Sequence, residues 1–361
     1  MPLSATDAVS PAIEHTKKQL FQPFRFWQWN RLALVGLLAG ELGGGGSCNV
    51  PSNFQHPRHG GSGKFLDPGL WHHDPALLAA LITIAVVTGL ALMLLFMYIN
   101  SRMRFVLFDS VITKECHIRQ YWRRRREVGN RYFIWQALFG LVVLAGMVIL
   151  LGIPAAIALA AGWLRNPSEH LLPLILGGIL LFFVFLLFFI CVAVITVMTK
   201  DFVVPHMAVE DITAMEGWRR LWPRMKAEKG GYAGYIGMKI LLTIAAGIIF
   251  AIISLIVLLI IAIPFVIVGV AIGVTASGVG WTWNAVTITL AVVAGIILFA
   301  IVMYAVSMVS VPVAVFFPAY SIHFLASRYP GLDALLHPAP PAPDFPPPMP
   351  PPLPPEPSPI G

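Results

Sequence analysis

Along the chain, long runs of apolar residues alternate with short polar segments, and five of these runs are unbroken enough to predict membrane-spanning helices at about 77–99, 132–163, 171–199, 235–263 and 285–311. Each exceeds the roughly 18–20 residues that cross a hydrocarbon layer of about 30 Å. They carry almost no ionisable side chain, as expected where a charge at mid-depth costs at least about 2.5 kcal/mol. Pro154, Pro264 and Pro312 lie at or near the ends of these runs, where a missing backbone donor is easier to accommodate. A shorter run, Leu32 to Leu42, holds Glu41 and flows into Gly43–Gly46. Extended back through Phe24, Phe26, Trp27 and Trp29 it reads as a short, tilted sixth span at about 24–43. The predicted fold is therefore all-α, a multi-pass transmembrane bundle.

Composition agrees: 58% of residues are hydrophobic and 11% charged, against about 25% charged in a soluble domain. An ordinary soluble enzyme is excluded. With six spans, 21 of the 24 Lys and Arg residues fall on one side and only Arg58, Lys64 and Arg165 on the other. The positive-inside rule then orients the protein in a bacterial inner membrane with both termini cytoplasmic. No apolar signal-peptide core occupies the first 25 residues. The net charge of +7 points to anionic lipid head groups and not to nucleic acid. Cys48, Cys116 and Cys191 are far apart and suggest neither disulfides nor a zinc site.

A basic, aromatic, amphipathic stretch precedes each pair of spans, at about 11–22, 106–126 and 205–226. Ala12-Ile13-Glu14-His15-Thr16-Lys17-Lys18-Gln19-Leu20-Phe21 parallels Ala214-Met215-Glu216-Gly217-Trp218-Arg219-Arg220-Leu221-Trp222. In the third stretch Ala208, Ile212, Met215, Trp218 and Trp222 recur at helical spacing, the pattern of a helix lying on a membrane surface. The middle stretch offers Phe108, Val111, Ile112, Ile118 and Trp122, interrupted by Glu115. The near-equal spacing suggests three repeated units, each an interfacial helix followed by two spans.

On these stretches, the segment Lys17 to Arg25 and the Phe316-Phe317-Pro318-Ala319-Tyr320 end, residues 11–330 resemble uncharacterised bacterial multi-pass proteins related to the membrane domain attached to some glycerophosphodiester phosphodiesterases. The resemblance implies a fold and a membrane location. It implies no reaction, because the phosphodiesterase chemistry of those relatives belongs to a separate soluble domain that has no counterpart here.

No H-E-x-x-H, G-x-S-x-G or intramembrane carboxylate pair is present, so no catalytic constellation, cofactor or metal site is predicted. His56, His59, His72 and His73 lie in a Gly-rich loop without metal-ligand spacing, and Gly60-Gly61-Ser62-Gly63-Lys64 lacks the Ser or Thr of a phosphate loop. The strongest charge feature is Arg123-Arg124-Arg125-Arg126 beside Tyr121 and Trp122. With Lys17, Lys18, Arg219 and Arg220 it forms the expected contact set for anionic lipid, each basic residue contributing about 1 kcal/mol near the surface. Residues 331–361 form a proline-rich tail, with 14 prolines among the last 24 residues. Such a tail favours polyproline II and offers a docking sequence to a cytoplasmic partner. The sequence thus predicts a non-enzymatic, membrane-organising protein. Its alternative is a transporter of an apolar or amphipathic substrate, gated by the uncharged, glycine-containing stretch Ile261 to Asn284.

Overall fold

A computed structural model describes residues 3–41, 75–163, 170–278 and 285–337. The histidine-bearing loop and the proline tail lie outside the described residues. Within them the chain is all-helical, with no strand. Two short helices, α1 (Val9–Phe21) and α2 (Phe26–Leu38), lead into the long α3 (Pro75–Thr113). The short α4 (Ile118–Arg124) joins it to α5 (Arg126–Ala160). Next, α6 (Leu171–Met198) runs through a π-helical turn, Thr199–Val203, into α7 (Val204–Glu210). Then come α8 (Ala214–Ala227), α9 (Lys229–Gly278), α10 (Ala285–Ala326) and α11 (Pro330–Leu336).

Five helices are long and apolar enough to cross a membrane: Ala79–Thr113, Arg126–Ala160, Leu171–Glu210, Lys229–Ala271 and Thr287–Ala326. The predicted run at about 24–43 is not among them. Its helix α2 has 13 residues, about 20 Å at 1.5 Å per residue, short of the roughly 30 Å hydrocarbon thickness.

At 35–43 residues each long helix exceeds that thickness, and the surplus explains the architecture. In four of the five, no residue of the most apolar stretch is buried, and in the fifth only 6% are. Those stretches face outward, as suits a lipid solvent. The opposite ends of the same helices converge with α1, α2, α4, α7, α8 and α11 into one core. There Phe202 packs on Tyr235 at 4.8 Å and on Phe324 at 5.8 Å, while Tyr235 stacks on Tyr320 at 5.1 Å. These rings join the π-helical turn to α9 and α10. Both described ends of the chain meet here, because Tyr320 donates to the carbonyl of Ala5 and Arg328 to that of Leu3.

The amphipathic stretches depart from the expected surface helices. The first part of 106–126, up to Thr113, belongs to the end of α3, and there Val106, Leu107, Phe108 and Val111, with the preceding Phe105, are buried in the core. The helix breaks at Lys114, whose φ is 59°. The 205–226 stretch breaks likewise at Asp211, φ 53°, leaving α7 buried and α8 amphipathic. In α8 the buried face is Ala214, Gly217 and Leu221, whereas Met215 and Trp222 are exposed. Thr213 caps it by accepting from the Glu216 amide, satisfying one orphan donor of the first turn.

Helix α1 buries Ala12, His15, Thr16, Gln19 and Leu20 and exposes Ile13 and Phe21. Its uncharged polar residues His15 and Gln19 go inward, while Glu14, Lys17 and Lys18 stay exposed, because this side meets the C-terminus of α3, where the last carbonyls have no intrahelical partner. Gln19 donates to Ser110 O at 2.8 Å, and His15 Nε2 to Val111 O at 2.9 Å. The three stretches therefore share composition but not arrangement.

Candidate cationic membrane-edge site

The eight basic residues expected at a lipid surface have different surroundings. Arg125 is structural: Nε and Nη2 each donate to Asp109 at 2.9 Å. Burial disfavours its charge, yet the Asp109 hydrogen bonds and negative charge outweigh this and raise its pKa. Arg219 and Arg220 pair with Glu216, and Arg220 also with Glu210. Lys18 pairs with Glu14 at 2.6 Å, which lowers the Glu14 pKa. Arg123 and Arg124 are exposed and have no carboxylate within ion-pair distance among the described residues.

Arg123 and Arg124 line an open cavity of about 1120 Å³ together with Arg31, His117 and Arg119. This grouping brings α2, the turn after α3, and α4 to one place. Arg31 reaches across from α2, donating from Nη1 to Cys116 O at 3.2 Å, and its guanidinium lies 5.5 Å from the Trp27 ring. Glu115 lies 3.8 Å from His117. Arg123 also borders a second cavity of about 530 Å³ with Tyr98, Arg102, Trp122 and Arg126.

Contacts tie this surface to the end of an apolar run. Tyr98 lies at the end of the apolar run of α3, and its ring is 6.5 Å from Trp122 and 5.5 Å from Phe133. Arg102 spans the junction: it donates to Tyr98 OH at 3.0 Å and to Trp122 O at 2.8 Å, with its guanidinium 4.1 Å from the Trp122 ring. On the other flank Phe24, Phe26 and Trp27 are exposed by 58%, 60% and 64%. Aromatic rings with basic neighbours at the edge of an apolar stretch are the anchors of a membrane–water interface.

A second charged group is internal. Glu41 lies 3.6 Å from Arg104 and 3.7 Å from Lys200. Asp201 accepts from Tyr235 OH at 2.9 Å and pairs with Lys239. A cavity of about 30 Å³ sits among Glu41, Arg104, Lys200 and Asp201, room for about one water.

Sequence reasoning counted Arg31, Arg102, Arg104, Arg119, Lys200 and Lys239 for sidedness only. The available signal was Arg102 and Arg104 directly after a span, but Arg102 reaches Trp122 of α4, and Arg104 reaches Ala39 and Glu41 just beyond α2.

A family model matches residues 3–335, covering the whole described core. The chain belongs to DUF7544, a family of unknown function. No curated protein and no solved structure matches it. The DUF7544 assignment and the five long apolar helices identify a membrane protein of unknown activity.

Proposed function

We propose that this DUF7544 protein is a non-enzymatic organiser of the cytoplasmic membrane leaflet, whose helical core engages anionic lipids through the cationic edge around Arg31, Arg119, Arg123 and Arg124. One observation carries this reading. Unpaired guanidinium groups share a cavity at the depth where exposed Trp27 and the Tyr98–Trp122 pair mark the end of the apolar stretch. Each basic residue there contributes about 1 kcal/mol toward an anionic surface. Kinship with the membrane domain of glycerophosphodiester phosphodiesterases and a bacterial inner-membrane location remain part of the proposal and bring no reaction with them.

In this reading the excess of Lys and Arg faces the cytoplasm, and both termini with it. A sixth crossing that begins in the run at about 24–43, whose described part is α2, remains part of the proposal. The core then sits partly within the leaflet. The threefold unit remains part of the proposal as a relation between sequences, and the proline tail as a docking strand for a cytoplasmic protein.

The composition of lipid retained by the protein after extraction into lipid-sparing polymer discs tests the proposal. Anionic lipid enriched over the surrounding membrane is expected. Retained lipid of the same composition as that membrane would overturn it.

The internal group of Glu41, Arg104, Lys200, Asp201 and Lys239 favours a second reading, transport, because ionisable residues at membrane depth often mark a substrate or ion path. Its cavity of about 30 Å³ suits a water-sized occupant, not an amphipathic molecule. Proteoliposome uptake assays with inorganic ions separate the two readings.

A further inference from the structure

We propose that the groove formed by Arg31, His117, Arg119, Arg123 and Arg124 is a binding site for a lipid-borne phosphomonoester. This inference rests on the membrane-edge reading above and names the head-group class the site selects. Four guanidinium groups and one imidazole from three separate segments line a single open cavity of about 1120 Å³. Arg119, Arg123 and Arg124 make no ion pair or side-chain hydrogen bond among the described residues, whereas Arg104, Arg125, Arg219, Lys239 and Arg328 are each matched to a carboxylate. No acid is among the residues that line the groove, and Glu115 lies 3.8 Å from His117. Like charges gathered without counter-charge repel one another, and a multiply charged anion relieves that repulsion.

The number of donors selects the class. Each guanidinium offers five N–H groups in a planar fork suited to phosphate oxygens. Arg31 commits one nitrogen to Cys116 O, and the other three forks are uncommitted. A phosphodiester presents two terminal oxygens and one negative charge. A phosphomonoester presents three and carries about −1.5 to −2 near pH 7, so it satisfies more donors and more charge. The lipid source follows from position. Arg123 borders both this groove and the Tyr98–Trp122 junction, and Arg31 stands over the exposed Trp27, so the site opens beside acyl chains.

The full-length protein in detergent, titrated calorimetrically with short-chain phosphatidic acid, short-chain phosphatidylglycerol and inorganic phosphate, tests the assignment. Phosphatidic acid is expected to bind at least about tenfold more tightly than either other probe. Arg119→Gln/Arg123→Gln/Arg124→Gln is expected to remove that preference, while Arg219→Gln leaves it intact. The single exposed change Arg119→Gln, expected to weaken phosphatidic acid binding severalfold, serves if the triple variant does not fold. Equal affinity for the two lipids, both lowered in the triple variant, would overturn the phosphomonoester assignment and leave the broader anionic-lipid reading standing. Free phosphate binding as tightly as phosphatidic acid would overturn the lipid source. Unchanged binding in the triple variant would overturn the site, and no binding of either lipid would remove the lipid reading as well.

Discussion

His15 of α1 donates from Nε2 to the carbonyl of Val111 in the last turn of α3 at 2.9 Å, so one helix supplies the cap that the other lacks. The carbonyl can only accept, which leaves Nδ1 of a neutral ring as acceptor for His323 Nε2 at 3.4 Å. Burial disfavours the charged imidazole; the Val111 bond partly offsets this, and Lys114 and Lys18 add to the shift, so the His15 pKa lies below its ordinary value. The unfolded chain therefore takes up a proton that the folded one resists. Stability is full above the unfolded value of about 6.5 and falls as pH drops below it. Thermal unfolding in detergent between pH 7.5 and 5 is expected to show a smaller loss in His15→Gln than in the parent; equal losses would contradict the burial account.

Within the arginine run the structure separates neighbours by role. Arg125→Ala leaves the buried Asp109 without its bidentate partner and is expected to cost about 3–5 kcal/mol. Arg124→Ala, at the exposed groove, is expected to stay within about 0.5 kcal/mol of the parent. Chemical denaturation of the two variants checks the contrast, and equal effects would refute it.

Close packing of α2 on α10 depends on a missing side chain. A Cβ added at Gly36 would lie 2.8 Å from the Ala314 Cβ, too near for either helix to hold its place. Gly36→Ala is expected to destabilise by about 1–3 kcal/mol, the usual range for overpacking. Adding Ala314→Gly should recover part of that loss, read as a non-additive double-mutant cycle.

Glu41 offsets two cations at once. Removing it as Glu41→Ala strands Arg104 and Lys200, whose side chains are 7% and 18% exposed, and is expected to cost about 3–5 kcal/mol. Glu41→Ala/Arg104→Met is expected to be more stable than Glu41→Ala alone. A thermal-shift series on the purified variants provides the check.

The long helices were legible because hydrocarbon-length apolar runs have few alternative readings: the 171–199 run coincides with α6, and the 285–311 run starts with α10. Their continuation was not legible. Helix α3 runs on to Thr113 and α10 to Ala326 because backbone hydrogen bonding does not stop where polarity begins, and the partners that bury Phe105 and Phe324 are distant in sequence. Lys114 and Asp211 break helices at positive φ, and neither is a glycine that would announce the break. The inward polar face of α1 was hidden for the same reason: His15 and Gln19 look solvent-facing until the end of α3 is beside them. Of the basic residues, Arg123 and Arg124 were found by density of charge. Density also drew in Arg125, whose buried partner Asp109 lies on another helix.

Helices from both ends of the chain meet in one core, and its proposed place on the cytoplasmic face is the central claim to test. Single cysteines replacing the exposed Glu14, Arg119 and Leu335 in a cysteine-free background, labelled with an impermeant thiol reagent, test it most directly. All three positions are expected to stay unlabelled in intact cells and to label after permeabilisation. Labelling of any one of them from outside would contradict the shared cytoplasmic core.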